Sequence, residues 1–589
     1  MKGLNYRVLI VLAFAVTLIM AANGVAQGLP GSPVPVMVAV GSSAQYQMWG
    51  EAAVQGGGAT PNGCGATVGV LAATQRNIWT QHNGAYGKDN RPGAINEVKG
   101  DIWVVWDGAA NGTTATVVCT YLNVDSGVGQ RLFFAQPQGS IDFTGLVNCA
   151  APPAGGNQVV IPAAGTPIEP NGTPAAPDVA LPTNVCNAVQ GAVFTAAPTD
   201  IRPEDALFAT NRALTSLGYG PGPIGSSFIE YYGTKTFQAV GFNISGNDPI
   251  TNDAIPGYTV TNVGGCNVMV IVENTDNGAS GGLGFQTAGV YDFQNITRAN
   301  LAKVLDGTLW QTSDITVPPA GGHKPLQIVQ REALSGTFNT IEWSVPNSVE
   351  FNTTQERCID TTNPANPSTC AGIAGNGNPL YFTGPGGGTK GRAIGTGDMI
   401  LAVGGAPSAG VVTVDAIGYA FWGFGNFAKE TNGATWQGGA HGTAGGANGW
   451  VRYLQVDGVD PILKTYVDGT IPLCLPGPTC TDIITHPNLV NGTYPIWNIL
   501  RVTTATPVPG EVSNLVTQLD FDSIPDVIPY ASMAVFRSHY AQSGVLPKDG
   551  VCHPAAGEAG GDMGGSIFTK NADLDYCHNF GLEFTGLKQ

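Results

Sequence analysis

Residues 331–337 read Arg-Glu-Ala-Leu-Ser-Gly-Thr, a cation four residues ahead of two hydroxyls that flank a glycine. A guanidinium is a planar fork of N–H donors suited to bidentate binding of an oxyanion. Ser335 and Thr337 place hydroxyls beside it. The motif lies in residues 326–343, where an apolar strand-like run ends in a small-residue turn and reopens as a helix-like segment. The same pattern recurs at residues 35–49 (PVMVAVGSSAQYQMW), with Ser43 and Ala44 in the turn, and at residues 117–135 (VVCTYLNVDSGVGQRLFFA), with Ser126. A helix start leaves its first N–H groups without internal partners and carries roughly half a positive charge. Three such turns predict several helix starts converging on one oxyanion. Other readings stand beside this one: Arg331 in a surface ion pair with Glu332 or another acid, Ser335 and Thr337 as helix caps, and Ser43 and Ser126 as plain turn residues.

Covalent chemistry has less support. A serine nucleophile needs a base within reach, and none of the three turns contains a histidine. The Gly-x-Ser-x-Gly elbow is missing around Ser335, and the seven histidines are scattered, mostly in loop-like stretches. Residues 438–446 (GGAHGTAGG) are glycine-rich but lack the lysine of a phosphate-binding P-loop. Cys552-His553 and Cys577-His578 hold zinc-type ligands, yet adjacent side chains point apart and the spacing is not that of a zinc finger. No catalytic residue, metal or cofactor is expected. A secreted hydrolase such as a phosphatase is the weaker alternative.

Strands and helices alternate along the chain, which predicts an α/β fold with mixed sheets. In open α/β sheets a ligand sits at the carboxyl ends of the strands, and all three turns lie at strand carboxyl ends. Residues 99–122 read as a hairpin around Asn111-Gly112. Residues 193–219 read as a strand end, a turn and a helix that starts near Asp200 or Pro203, with Glu204 and Asp205 in its first turn. Residues 268–272 and 411–427 read as strands, and residues 301–310, 396–403 and 531–541 as helices. Residues 136–190, rich in Pro, Ala, Gly and Asn, read as a long insertion.

Export is expected from the N-terminus. Lys2 and Arg7 precede an uncharged apolar run, and a small-residue stretch with a cut after Ala26 follows, so residues 1–26 read as a signal peptide. The net charge is −17, and this argues against nucleic acid or an anionic membrane as a partner. An anion site in such a chain must rely on local dipoles and a buried cation. Only 11% of residues are charged, and 83 of the 589 are glycine, a composition common in exported, loop-rich proteins. The 11 cysteines can oxidise after export. Cys474/Cys480, Cys358/Cys370 and Cys552/Cys577 read as loop staples, and the odd count leaves at least one thiol unpaired within the chain.

The motif order GSSAQYQMW, DSGVGQ, TDIRPEDA, REALSGT, DAIGYAFWGFGNF and YLQVDGVDP resembles that of the phosphate-binding proteins of ABC phosphate importers. The resemblance covers residues 34–428 discontinuously. It departs from the family at the first turn, where Thr-Phe-Pro is usual, and in the length of chain between Ser126 and Asp200. It implies a two-lobed type 2 periplasmic-binding-protein fold over residues 27–461, with mixed sheets and long loop insertions; residues 462–589 read as a disulfide-containing C-terminal extension, either an elaboration of one lobe or a second small module. It implies inorganic phosphate as ligand, an ABC-type membrane permease as partner, a monomer, and periplasmic or extracellular localisation. Ser43 and Ala44, Ser126, Asp200, Arg331, Ser335, Gly336 and Thr337 match the family's phosphate contacts, and Ile417-Gly418-Tyr419 its hallmark strand. Asp200 is the selective member. A carboxylate facing an anion is repulsive unless a proton lies between them, and hydrogen phosphate carries one where sulfate does not. The plainer reading of Asp200 is a cap for the helix at Pro203. The alternative function is a cell-surface or structural protein that keeps the fold without a transport role.

Overall fold

The computed structural model describes residues 29–54, 63–71, 74, 76–92, 97–144, 181–215, 228–232, 235–273, 293–315, 325–345, 382–383, 385–393, 395–404, 415–423, 451–462, 485–519, 526–537 and 567–569. Strands β1 (Val34–Gly41), β2 (Arg76–Lys88), β3 (Glu97–Asp107), β4 (Val117–Asn123), β5 (Ser140–Ile141) and β6 (Ala196–Thr199) come first. Helices α1 (Tyr46–Val54), α2 (Ser126–Phe134), α3 (Thr183–Val189) and α4 (Pro203–Thr215) are interleaved with or follow them. The long strand β7 (Tyr258–Glu273) and α5 (Arg298–Leu305) lead to β8 (Leu326–Arg331), α6 (Gly336–Ser344), β9 (Phe382–Thr383), β10 (Thr389–Ala393), α7 (Thr396–Gly404) and β11 (Asp415–Phe421). Strands β12 (Val451–Tyr453) and β13 (Trp497–Ala505), α8 (Gly510–Val516) and β14 (Ile528–Pro529) complete the main body.

Among the described residues these strands form one 14-stranded mixed path, in the order β9-β10-β8-β11-β7-β13-β6-β1-β4-β3-β2-β5, with β12 and β14 also on β7. Two parallel triplets sit within it: β1 between β4 and β6, and β8 between β10 and β11. The central strands are apolar on both faces; residues 37–40, for example, are all buried. Helices cover both faces of such a strand, which is why its sequence shows no alternation. Strand β7 is shared between two stretches of the path. Its residues 258–267 pair with β13, and its residues 268–272 pair with β11.

The order does not break at residue 461. Strand β13 comes from beyond that point yet lies between β6 and β7, antiparallel to both. The hairpin expected in residues 99–122 is the antiparallel β3–β4 pair. The helix expected at residues 531–541 is absent from the described part of that stretch. A single 3-10 turn, Tyr530–Ser532, gives way to a strand, Val535–Arg537, paired with Ile567–Thr569. Sheet pairing overrides local helix propensity there.

Cys64 and Cys119 form a disulfide that ties the segment after α1 to β4, across 55 residues of chain. Cys186 is also disulfide-bonded, and Cys266 is a free, buried thiol. The three expected loop staples, the signal segment and the middle of the 136–190 insertion lie outside the described residues. No helix among the described residues is long and apolar enough to cross a membrane.

Candidate anion site at the strand ends

The carboxyl ends of β1, β4, β6, β8 and β10 each carry a turn, and the turns meet. After β1, Ser42 caps a short 3-10 turn (Ser43–Gln45) by accepting from the Ala44 N–H at 3.1 Å, and its hydroxyl donates to Asp200 Oδ1. Ser43 turns the other way, with its Oγ 3.0 Å from Thr396 Oγ1. Ala44 is buried behind them.

Asp125 and Ser126 open α2. The helix start reaches the end of β1 because two glycines meet there: a Cβ on Gly129 would lie 2.5 Å from the Gly41 Cα. Ser126 Oγ accepts from the Asp200 N–H at 3.1 Å. Asp200 itself follows β6. It is 2% exposed, and Thr337 donates to its Oδ2 at 3.5 Å. Burial pushes its carboxyl up to about 6, against the opposing pull of Ser42, Arg331, Ser126 and Thr337. Asn498, on β13, holds the Asp200 carbonyl from below at 2.6 Å.

Arg331 ends β8, fully buried. Its backbone N–H donates to the Tyr419 hydroxyl at 3.1 Å, which places the Ile417-Gly418-Tyr419 strand, β11, directly beside the site. Its guanidinium reaches Asp125 at 2.7 Å and Glu332 at 2.9 and 3.1 Å, and at 3.3 Å it touches both Ser43 and Thr396. Ser335 caps α6 by accepting from the Phe338 N–H at 3.3 Å. Gly336, the first residue of α6, lies against the Asp200 turn. A Cβ there would meet the Asp200 Cβ at 2.5 Å and Ser126 Oγ at 2.6 Å. Only a residue without a side chain allows that approach.

The structure thus brings Ser43, Ala44, Ser126, Asp200, Arg331, Ser335, Gly336 and Thr337 into one buried junction. Sequence reasoning missed Ser42, Asp125, Glu332 as a buried partner, Thr396 and Asn498. The pairing of Arg331 with Glu332 exists, but both side chains are inaccessible, so it is no surface ion pair. Asp200 is not the α4 cap of the plainer reading; its carboxylate turns toward Ser42 and Thr337. Chemically, the junction combines one guanidinium, several hydroxyls and the starts of α2, α6 and α7 with three carboxylates, those of Asp125, Asp200 and Glu332. Anion binding there would have to rest on donors and dipoles, since the formal charges do not favour it.

No family model matches the chain, and no curated protein matches it. Among solved structures it is similar to a phosphate-binding protein from Stenotrophomonas maltophilia: 13% identity, 57% of this chain and 72% of that one, TM-score 0.25. It is also similar to an ABC-type phosphate transport receptor from Vibrio cholerae: 11% identity, 47% and 71%, TM-score 0.22. A third match is a Clostridium perfringens structure with bound phosphate: 11% identity, 44% and 65%, TM-score 0.22, so that the chain spans just under two thirds of that relative. Likeness at this level is distant, and the reading of the site rests on its own geometry.

Proposed function

We propose that this chain is an exported solute-binding protein that holds hydrogen phosphate between two lobes and delivers it to an ABC-type membrane permease. One lobe comprises β1–β6, β13 and the first part of β7; the other comprises β8–β12 and the rest of β7. Strand β7 is the hinge. Residues 1–26 are its signal peptide, and the protein acts as a monomer without catalytic activity.

The observation that carries this reading is the placement of the Asp200 carboxyl. It is buried where Ser42, Ser126, Gly336 and Thr337 converge, with the Arg331 guanidinium on the same junction. A carboxylate in an oxyanion site is repulsive toward sulfate and attractive toward an anion that carries a hydroxyl. Ser43, Ala44, Ser126, Arg331, Ser335, Gly336 and Thr337 supply the remaining contacts through hydroxyls and helix-start amides. Native mass spectrometry of the purified protein tests this. A retained or added mass of one phosphate per chain is expected; an unchanged apo mass at millimolar phosphate contradicts it.

A second reading has its own observation. Arg331 already pairs with Asp125 and Glu332, one on each side of the junction. In that reading the arginine is a strap between the two halves of a cell-surface protein that keeps the fold without binding solute. Arg331→Ala would then destabilise the protein by about 3–5 kcal/mol, through loss of the buried cation that both carboxylates pair with, and wild type would bind no phosphate.

A further inference from the structure

Ser43 and Thr396 face each other with their hydroxyl oxygens 3.0 Å apart. Each also touches Arg331, at 3.3 Å from Nη2 and from Nη1 respectively. A guanidinium has only donors, so both hydroxyl oxygens act as acceptors toward it. Two hydroxyls own two hydrogens, and the contact between them uses one. The other hydrogen has no acceptor among the described residues, although Ser43 is only 4% and Thr396 only 1% exposed. Buried hydroxyl hydrogens are nearly always placed on an acceptor.

Thr396 also opens α7, a nine-residue helix whose start adds positive potential at this corner. The opposite corner has the opposite requirement, because Asp200 asks for a hydrogen from the ligand. We propose that Thr396 is a further ligand-binding residue, and that the Ser43–Thr396 pair presents one shared hydrogen to an unprotonated oxygen of the bound oxyanion. The site then orients a hydrogen phosphate, its P–OH toward Asp200 and a bare P–O toward the pair. This rests on the phosphate reading above.

Calorimetric titration of the full chain with inorganic phosphate at pH 8 tests it, using wild type, Ser43→Ala, Thr396→Val and the double variant. Each single variant removes one hydroxyl of the pair and should weaken binding about three- to tenfold, with the remaining hydroxyl supplying the shared hydrogen. The double variant should lose about 10- to 100-fold, the scale of a hydrogen bond to a charged group. A double variant that binds like wild type overturns the proposal, as does a Ser43→Ala loss equal to that of the double, which would leave Thr396 idle. A wild type that binds no phosphate overturns both this inference and the reading beneath it. A second measurement needs no variant: phosphate should slow the exchange of a Ser43 or Thr396 hydroxyl proton with water in the NMR spectrum. A fully saturated wild type without such a proton contradicts the shared donor.

Discussion

Asp200 carries a buried carboxyl raised from its ordinary 3.8 to about 6. Between those pH values the folded chain holds a proton that the unfolded chain has released. Stability from this group is therefore highest below pH 4 and falls as pH rises through 6. The difference amounts to about 3 kcal/mol. Asp200→Asn cannot titrate, so its stability relative to wild type should rise by that amount between pH 4 and pH 7. Urea unfolding at a series of pH values checks this, and a pH-independent difference would contradict it. At this scale the sequence was most readable where the chemistry is contiguous. Arg331, Ser335, Gly336 and Thr337 lie within one turn of chain, so their types and spacing sufficed. The two adjacent serines at 42 and 43 were not separable, because only the 3-10 turn sends one hydroxyl to Asp200 and the other to Thr396. Glu332 and Asp125 were visible as acids, but their burial against Arg331 depends on a fold that closes over them.

Helix starts set the geometry of the junction, and α6 is the most constrained of them. Its first residue, Gly336, sits where any side chain would collide with Asp200 and Ser126. Gly336→Ala should force the α6 start away from β6 and α2. The expected cost is about 1–3 kcal/mol of stability, as for other overpacked contacts, together with a clear loss of phosphate affinity. Thermal unfolding and calorimetry on the variant check both; unchanged affinity would mean that α6 does not approach Asp200 when ligand binds. The helices at Pro203–Thr215 and Thr396–Gly404 and the strand Asp415–Phe421 agree with the expected segments because caps and apolar runs are local signals. That the start of α7 reaches Ser43 was illegible, since the two are brought together only by the order of strands in the sheet.

Over the whole molecule, two non-local features dominate. The first is β13, a late strand inserted in the middle of the sheet, which local pattern alone cannot place. The second is the Cys64–Cys119 bridge. Cysteines near in sequence offered obvious pairings, while this pair is 55 residues apart and is brought together where α1 packs beside β4. Replacing both by alanine should destabilise the protein by about 4 kcal/mol, the scale for a loop of that length. Urea denaturation of the double variant measures it, and a change below about 1 kcal/mol would show that the denatured chain is not restrained by this bridge. The central claim of the proposed function is that two lobes, joined through β7, close on a protonated oxyanion. Calorimetric titration of the wild type at pH 8 with phosphate and with sulfate tests it most directly. One phosphate should bind per chain, with sulfate at least about a hundredfold weaker because it brings no proton to Asp200. Equal binding of the two anions, or binding of neither, would contradict the account.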